Sequence, residues 1–190
     1  MFELITIGVA LLGAAGAGLY FYCRRQRRKQ LITLLIDKVD LLAHWTYTPA
    51  EWQKAVAEEF TWASGRDFGG EVYISPRAVY VKADTRDNLI DLTEKGKVVT
   101  NASFTGTEGM PLKLRVRWRV RTYRETGGSD RTDQFKYCKE DYRIPVPPTA
   151  KEEARKVVNF FTTQLENNLE AYTAVVGEDE AISLFGKDTF

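Results

Sequence analysis

An apolar run from Leu4 to Tyr22 stops abruptly at Cys23-Arg24-Arg25-Gln26-Arg27-Arg28-Lys29. A helix of about 19 residues, rising about 1.5 Å per residue, is about 28 Å long, close to the thickness of bilayer hydrocarbon. The run is therefore expected to cross a membrane once. Only Glu3 precedes it, whereas Arg24, Arg25, Arg27, Arg28 and Lys29 follow at once, and basic residues beside a span stay on the cytoplasmic side. The expected topology is single-pass and N-out. Everything from Arg24 onward then lies in the cytoplasm, with those five cations at the lipid headgroups.

Other uses of this segment fit less well. Ala15-Gly16-Ala17 has the small-x-small form of a signal-peptide cleavage site, but a secretory signal carries its positive charge before the apolar stretch, not after it. A lipoprotein signal needs small residues before its cysteine, and Tyr20-Phe21-Tyr22 are bulky. Gly13-Ala14-Ala15-Gly16-Ala17-Gly18 resembles a nucleotide loop only superficially, since a dinucleotide fingerprint joins a strand to a helix and no such unit follows. Small residues do let helices approach closely in a membrane. The pairs Gly13/Ala17 and Ala14/Gly18 thus mark a face for a partner span or for self-association.

With the anchor removed, the 190-residue chain leaves one domain of ordinary size, with 44% hydrophobic and 28% charged residues overall. The formal net charge is +1, so bulk attraction to nucleic acid is not expected. Cys23 and Cys138, the only cysteines, fall at the membrane boundary and in an expected strand, an arrangement that suits a reducing compartment better than a structural disulfide. The domain plan is an anchor over 1–23, a basic juxtamembrane segment over 24–30, an α+β domain over 31–186 and a tail over 187–190.

Leu31, Leu34, Leu35, Val39 and Leu42 fall at helical spacing, and no flexible linker separates them from the basic cluster. Thr48-Pro49-Ala50-Glu51 announces a second helix, with Thr48 capping, Pro49 at the first helical position and Glu51 completing a capping box. Residues 70 to 144 turn to strand chemistry. Three hairpins are expected: Glu71–Ser75 with Ala78–Lys82, Leu89–Leu92 with Val98–Ser103, and two long strands around Gly127-Gly128-Ser129-Asp130. After Pro145, Pro147 and Pro148, a capping-box pattern at Thr149–Glu152 opens a last helix whose apolar face runs from Ala154 through Phe161 to Tyr172. Gly177 should end it, with Ile182, Leu184 and Phe185 docking back. The expected fold class is α+β: a single N-terminal transmembrane helix, then helices packed on one face of a curved, mainly antiparallel sheet.

The sharpest pattern in the domain is Leu112-Lys113-Leu114-Arg115-Val116-Arg117-Trp118-Arg119-Val120-Arg121, alternating without a fault. On a strand it places Lys113, Arg115, Arg117, Arg119 and Arg121 on one face, about 6.6 to 6.8 Å from one to the next. Such a row either faces lipid headgroups, an acidic partner or, ranked below them because aromatic interleaving is thin, RNA, or is consumed by cross-strand carboxylates such as Glu140, Asp141, Glu71 or Asp91. Trp118 is expected in the core on the opposite face, and Trp52 on a buried helix stripe, while Trp45 and Tyr47 fall in the connection between the first two helices, where the headgroup level is open to them. His44, the only histidine, is expected at a helix C-terminus. One histidine excludes multi-His metal sites, and a dyad with Cys138 has no local support. With no catalytic, metal or cofactor motif legible, the expected role is a non-enzymatic scaffold, accessory subunit or assembly factor of a membrane complex. Its partners would be membrane lipid and another membrane protein or a second copy. The alternative is a small-ligand module with an aromatic-lined cup between sheet and helices. The sequon Asn101-Ala102-Ser103 should stay unglycosylated in the N-out orientation.

Overall fold

The computed structural model describes residues 2–63, 69–104, 111–125 and 131–176; within these it describes no side chains at 2–15, 95, 121–125, 131–135 and 171–176. Helix α1 runs unbroken over Phe2–Ile36. The boundaries read at 23 and 30 thus fall inside one continuous helix. Lys38 and Asp40, both with positive φ (58° and 54°), turn the chain back after it. Then come β1 (Ala43–Thr46), α2 (Pro49–Glu58), β2 (Gly70–Ile74), β3 (Ala78–Ala83), β4 (Asn88–Asp91), β5 (Val98–Phe104), β6 (Leu112–Glu125), β7 (Arg131–Ile144) and α3 (Lys151–Val176). Among the described residues no helix is long and apolar enough to cross a membrane. Most of the run from Leu4 lies where side chains are outside the description.

The fold is α+β with two antiparallel sheets, ordered β1-β2-β3-β4 and β5-β6-β7, and three helices. This corrects the expected single sheet. The first and third hairpins form, but β4 pairs with β3 and β5 pairs with β6, so 89–92 and 98–103 belong to different sheets. The short 3-10 turn Glu94–Gly96 carries the chain across. The sheets share one core because strand side chains alternate: Trp45, Val72, Ile74, Val79 and Val81 come from one, and Leu112, Leu114, Val116 and Ile144 from the other. Helix α2 adds Trp52 and Ala55, and α3 adds Ala154, Val157 and Phe161. The next turns of α3 place Leu165 and Leu169 with Val98 and Tyr137 in a smaller cluster.

Local signals explain the helix ends. Thr48 and Glu51 form the reciprocal capping box, with Pro49 behind Thr48. At the start of α3, Thr149 instead lies inside the 3-10 turn Pro148–Ala150, and Glu152 pairs with Arg155. Gly70 permits the closest approach in the core: a Cβ there would lie 2.1 Å from a ring carbon of Trp52. His44 and Trp45 correct two expectations, since both sit on strand β1, not at a helix end or in a plain connection between helices. Trp45 is 4% exposed and donates to the Tyr47 hydroxyl, which in turn donates to the Pro145 carbonyl. Burial pushes the Tyr47 phenol well up from its ordinary value. The expected end of α3 at Gly177 and the docked terminal residues lie outside the described residues.

Candidate functional site

Three of the exposed basic residues on α1 reach acids on or beside the first sheet and close a seam with it. The outer face of that sheet carries Tyr73, Ala78, Tyr80 and Leu89, the residues alternate to the core set. Leu35 fills it and is 1% exposed, with Leu31, Ile32 and Leu41 around it. Two turns earlier, the Arg27 guanidinium grips Asp91 at 2.7 and 3.3 Å and also donates to the Thr93 hydroxyl at 2.9 Å. Arg24 reaches Glu94 at 3.5 Å, and Arg28 approaches Asp87 at 3.9 Å. Burial works to raise the Asp91 carboxyl, but Arg27 together with the Thr93 N–H and hydroxyl outweighs it and holds the group below its usual value. Arg25 and Lys29 are exposed, and among the described residues no acid pairs with them.

A cavity of about 290 Å³ opens in this seam, lined by Phe21, Leu31 and Leu89 and by Arg24, Arg25, Arg27, Arg28, Asp91 and Glu94. Four guanidinium groups against two carboxylates leave its lining cationic, with apolar surface at either side. That chemistry suits a phosphate ester carrying an alkyl or acyl part. Just before the seam, Leu19, Tyr20, Phe21 and Tyr22 are 52–65% exposed. Of the small-residue face, Ala17 and Gly18 are exposed and a Cβ at Gly18 would meet nothing within 4 Å; the surroundings of Gly13 and Ala14 lie outside the description.

The second row of cations has a different environment. β6 and β7 pair in register, so Arg115 lies opposite Asp141 and Lys113 one step away. Asp141 accepts from Arg115 at 2.8 and 3.3 Å and from Lys113 at 3.0 Å. The Arg115 hydrogen bonds, with help from Lys113, hold the Asp141 carboxyl down at about 2. Arg117 is half-buried, and among the described residues its Nε has no hydrogen-bond partner. Arg119 is exposed and engaged, and the Arg121 side chain is outside the description. The other carboxylates expected to serve the ladder are committed elsewhere: Asp91 to Arg27, Glu71 to Lys82, and Glu140 to Lys97 at 3.6 Å.

Trp118 also departs from expectation. The core face of β6 is fully buried at Leu112, Leu114 and Val116, but Trp118 is half-buried and Val120 is 37% exposed. The Lys97 ammonium sits 5.1 Å from the Trp118 ring centre and 5.9 Å from that of Tyr142, so the indole is a cation platform at the rim of the core.

Sequence reasoning missed a polar cluster on the outer face of the first sheet. Glu71 accepts from Tyr73 in a short hydrogen bond, lies 3.3 Å from His44 Nε2 and 3.4 Å from Lys82. The Tyr73 bond, with His44 and Lys82, holds Glu71 below its usual value, and burial and Glu71 push the Tyr73 phenol up to about 12. A carboxylate engaged by three donors is a poor proton acceptor at neutral pH. The signal was present in the alternation of 71, 73, 80 and 82, but His44 joins it only through a four-residue strand. His44 and Cys138 lie on different sheets, Cys138 opposite Trp118, so no dyad neighbourhood is built. Both cysteines are free. Among the described residues no group of three His, Cys, Asp or Glu could hold a metal ion.

A further cavity of about 340 Å³ lies beside β7, with Phe60, Trp62, Tyr142, Ile90 and Ile144 in its wall and Glu59, Asp141 and Arg143 at its margin. In comparisons with known proteins, the chain matches no protein-family model, no curated protein and no solved structure.

Proposed function

We propose that the protein is a single-pass membrane protein whose domain serves as a non-enzymatic scaffold, accessory subunit or assembly factor of a membrane complex. The apolar run from Leu4 to Tyr22 is its anchor, placed N-out by the cations that follow, with the domain in the cytoplasm. The observation that carries this is the continuity of α1 from the apolar run into the seam, where Leu35 and the Arg27–Asp91 pair fasten helix to domain. A docked helix presents the domain at a set height and angle, which suits assembly rather than tethered capture. Arg25 and Lys29 are left for anionic headgroups, each contributing about 1 kcal/mol near such a leaflet.

Alkaline extraction of membranes holding the full chain tests the anchor, and mass spectrometry of the complex isolated in mild detergent tests the role. The chain should remain with the membrane and bring defined membrane subunits. Release at high pH overturns the anchor. A retained chain that brings no stoichiometric subunit overturns the assembly role. The second reading, a small-ligand module, is favoured by the aromatic wall of Phe60, Trp62 and Tyr142 beside β7; a small molecule retained by the purified chain would support it.

A further inference from the structure

We propose that β7 is a dimerisation edge, along which two copies of the chain pair antiparallel about a two-fold axis at Cys138. β7 is a 14-residue strand at the end of its sheet, paired along one side to β6 without a register shift. Among the described residues no backbone hydrogen bond reaches its other side. The remaining edges are managed: α3 packs along β5, the His44 N–H at the β1 edge donates to Glu153 of α3 at 3.0 Å, and β4 is tied to α1 through Asp91. A long strand edge with no proline and no bulge, and no backbone partner among the described residues, is a template for another strand.

The strand's own charges select a second copy and one register. Centred on Cys138, an antiparallel pair sets Lys136 against Glu140 and Asp133 against Arg143, each twice by symmetry, and brings no like charges together. Neighbouring registers lose this. A centre at Tyr137 opposes Asp133 to Asp141 and Arg131 to Arg143; a centre between Tyr137 and Cys138 opposes Lys136 to Lys139; a centre at Lys139 opposes that ammonium to its own copy. A centre between Cys138 and Lys139 keeps only one kind of opposite-charge pair, Lys136 with Asp141, against the two kinds that the centre at Cys138 makes. Like charges directly opposite destabilise a strand pair, so the register at Cys138 is favoured. Lys136, Glu140 and Arg143 are exposed; within the chain Glu140 also accepts from the Tyr142 hydroxyl and lies 3.6 Å from Lys97, and Arg143 lies 3.5 Å from Glu59 at the end of the edge.

This register places the two Cys138 residues directly opposite, at a Cα separation of about 4.5 to 5.5 Å that a disulfide can bridge. The full chain with Cys23→Ser, in mild detergent, should sediment as a dimer and become covalently linked under mild oxidation. Lys136→Glu should weaken association about tenfold, and Lys136→Glu combined with Glu140→Lys should restore it. A monomer, a dimer that does not link through Cys138, or a dimer indifferent to Lys136→Glu overturns the proposal. The last of these would point to association through the apolar run instead.

Discussion

The two rows of cations, one on α1 and one on β6, look alike in sequence but have different structural consequences. Arg27 meets its acid 64 positions away, at Asp91, so the contact joins two elements that no backbone hydrogen bonds connect. Arg115 meets its acid 26 positions away on the adjoining strand of the same hairpin, so the contact decorates pairing that backbone hydrogen bonds already secure. Charge density alone does not distinguish these cases. What decides is whether the nearest acid lies on the same element pair or on another one, and whether apolar burial stands behind it, as Leu35 stands behind Arg27.

Breaking the seam should therefore cost more than breaking the ladder. The largest effect should come from Leu35→Ala, about 2 to 4 kcal/mol, because a fully buried leucine leaves a cavity beneath Tyr73 and Tyr80. Hydrogen exchange should show β3 and β4 losing protection while β6 and β7 keep theirs; uniform loss would mean the seam is not a separate unit. Trp118→Ala should follow at about 1 to 2 kcal/mol, below the usual range for a core tryptophan, since the ring is half-buried. A melting-curve loss as large as that of Trp52→Ala would return Trp118 to the core.

Asp91→Asn should cost about 1 kcal/mol, because it loosens a bidentate pair while Leu35 still holds. Asp141→Asn should cost less, about 0.5 kcal/mol or below, since the Asp141 carboxylate is 34% exposed against 13% for Asp91 and the strand pair persists without it. Equal costs for these two would erase the distinction drawn above. Both acids have depressed pKa values in the folded chain, so their contributions are present above the unfolded carboxylate value of about 4 and fade as pH falls through the folded one. For Asp141 the window lies between about 4 and about 2. An acid titration of stability should flatten there in Asp141→Asn and show a separate loss, below the ordinary value of 3.8, in the chain that keeps Asp91.

Much of the local structure was legible because its causes are local. Thr48 and Glu51 name their own cap, and Ser75-Pro76-Arg77 marks the β2–β3 turn, where the Ser75 hydroxyl accepts from the Ala78 N–H at 3.1 Å. Strand partnership is not local, so nothing near Leu89 revealed that it would face Tyr80 rather than β5. β1 was hidden because four residues are too few for a period to show, and its tryptophan suggested an interface. Perfect alternation in β6 misplaced Trp118 because period reports the face of a strand, not how far along that face the core extends. The candidate site was half visible: the cations stand together in the sequence, while Asp87, Asp91 and Glu94 are recognisable as their partners only once β4 lies beside α1.

The contact between Gly70 and Trp52 has a meaning for descent as well as for packing. With no room for a Cβ, position 70 is closed even to alanine while the indole is present, and the indole is the largest side chain that the space above a glycine admits. The two positions should therefore change together in diverged chains: a smaller residue at 52 frees position 70, and a side chain at 70 forbids tryptophan at 52. A diverged sequence that keeps the cap Thr48, the proline after it and this reciprocal pair would be a recognisable cousin after overall similarity has faded.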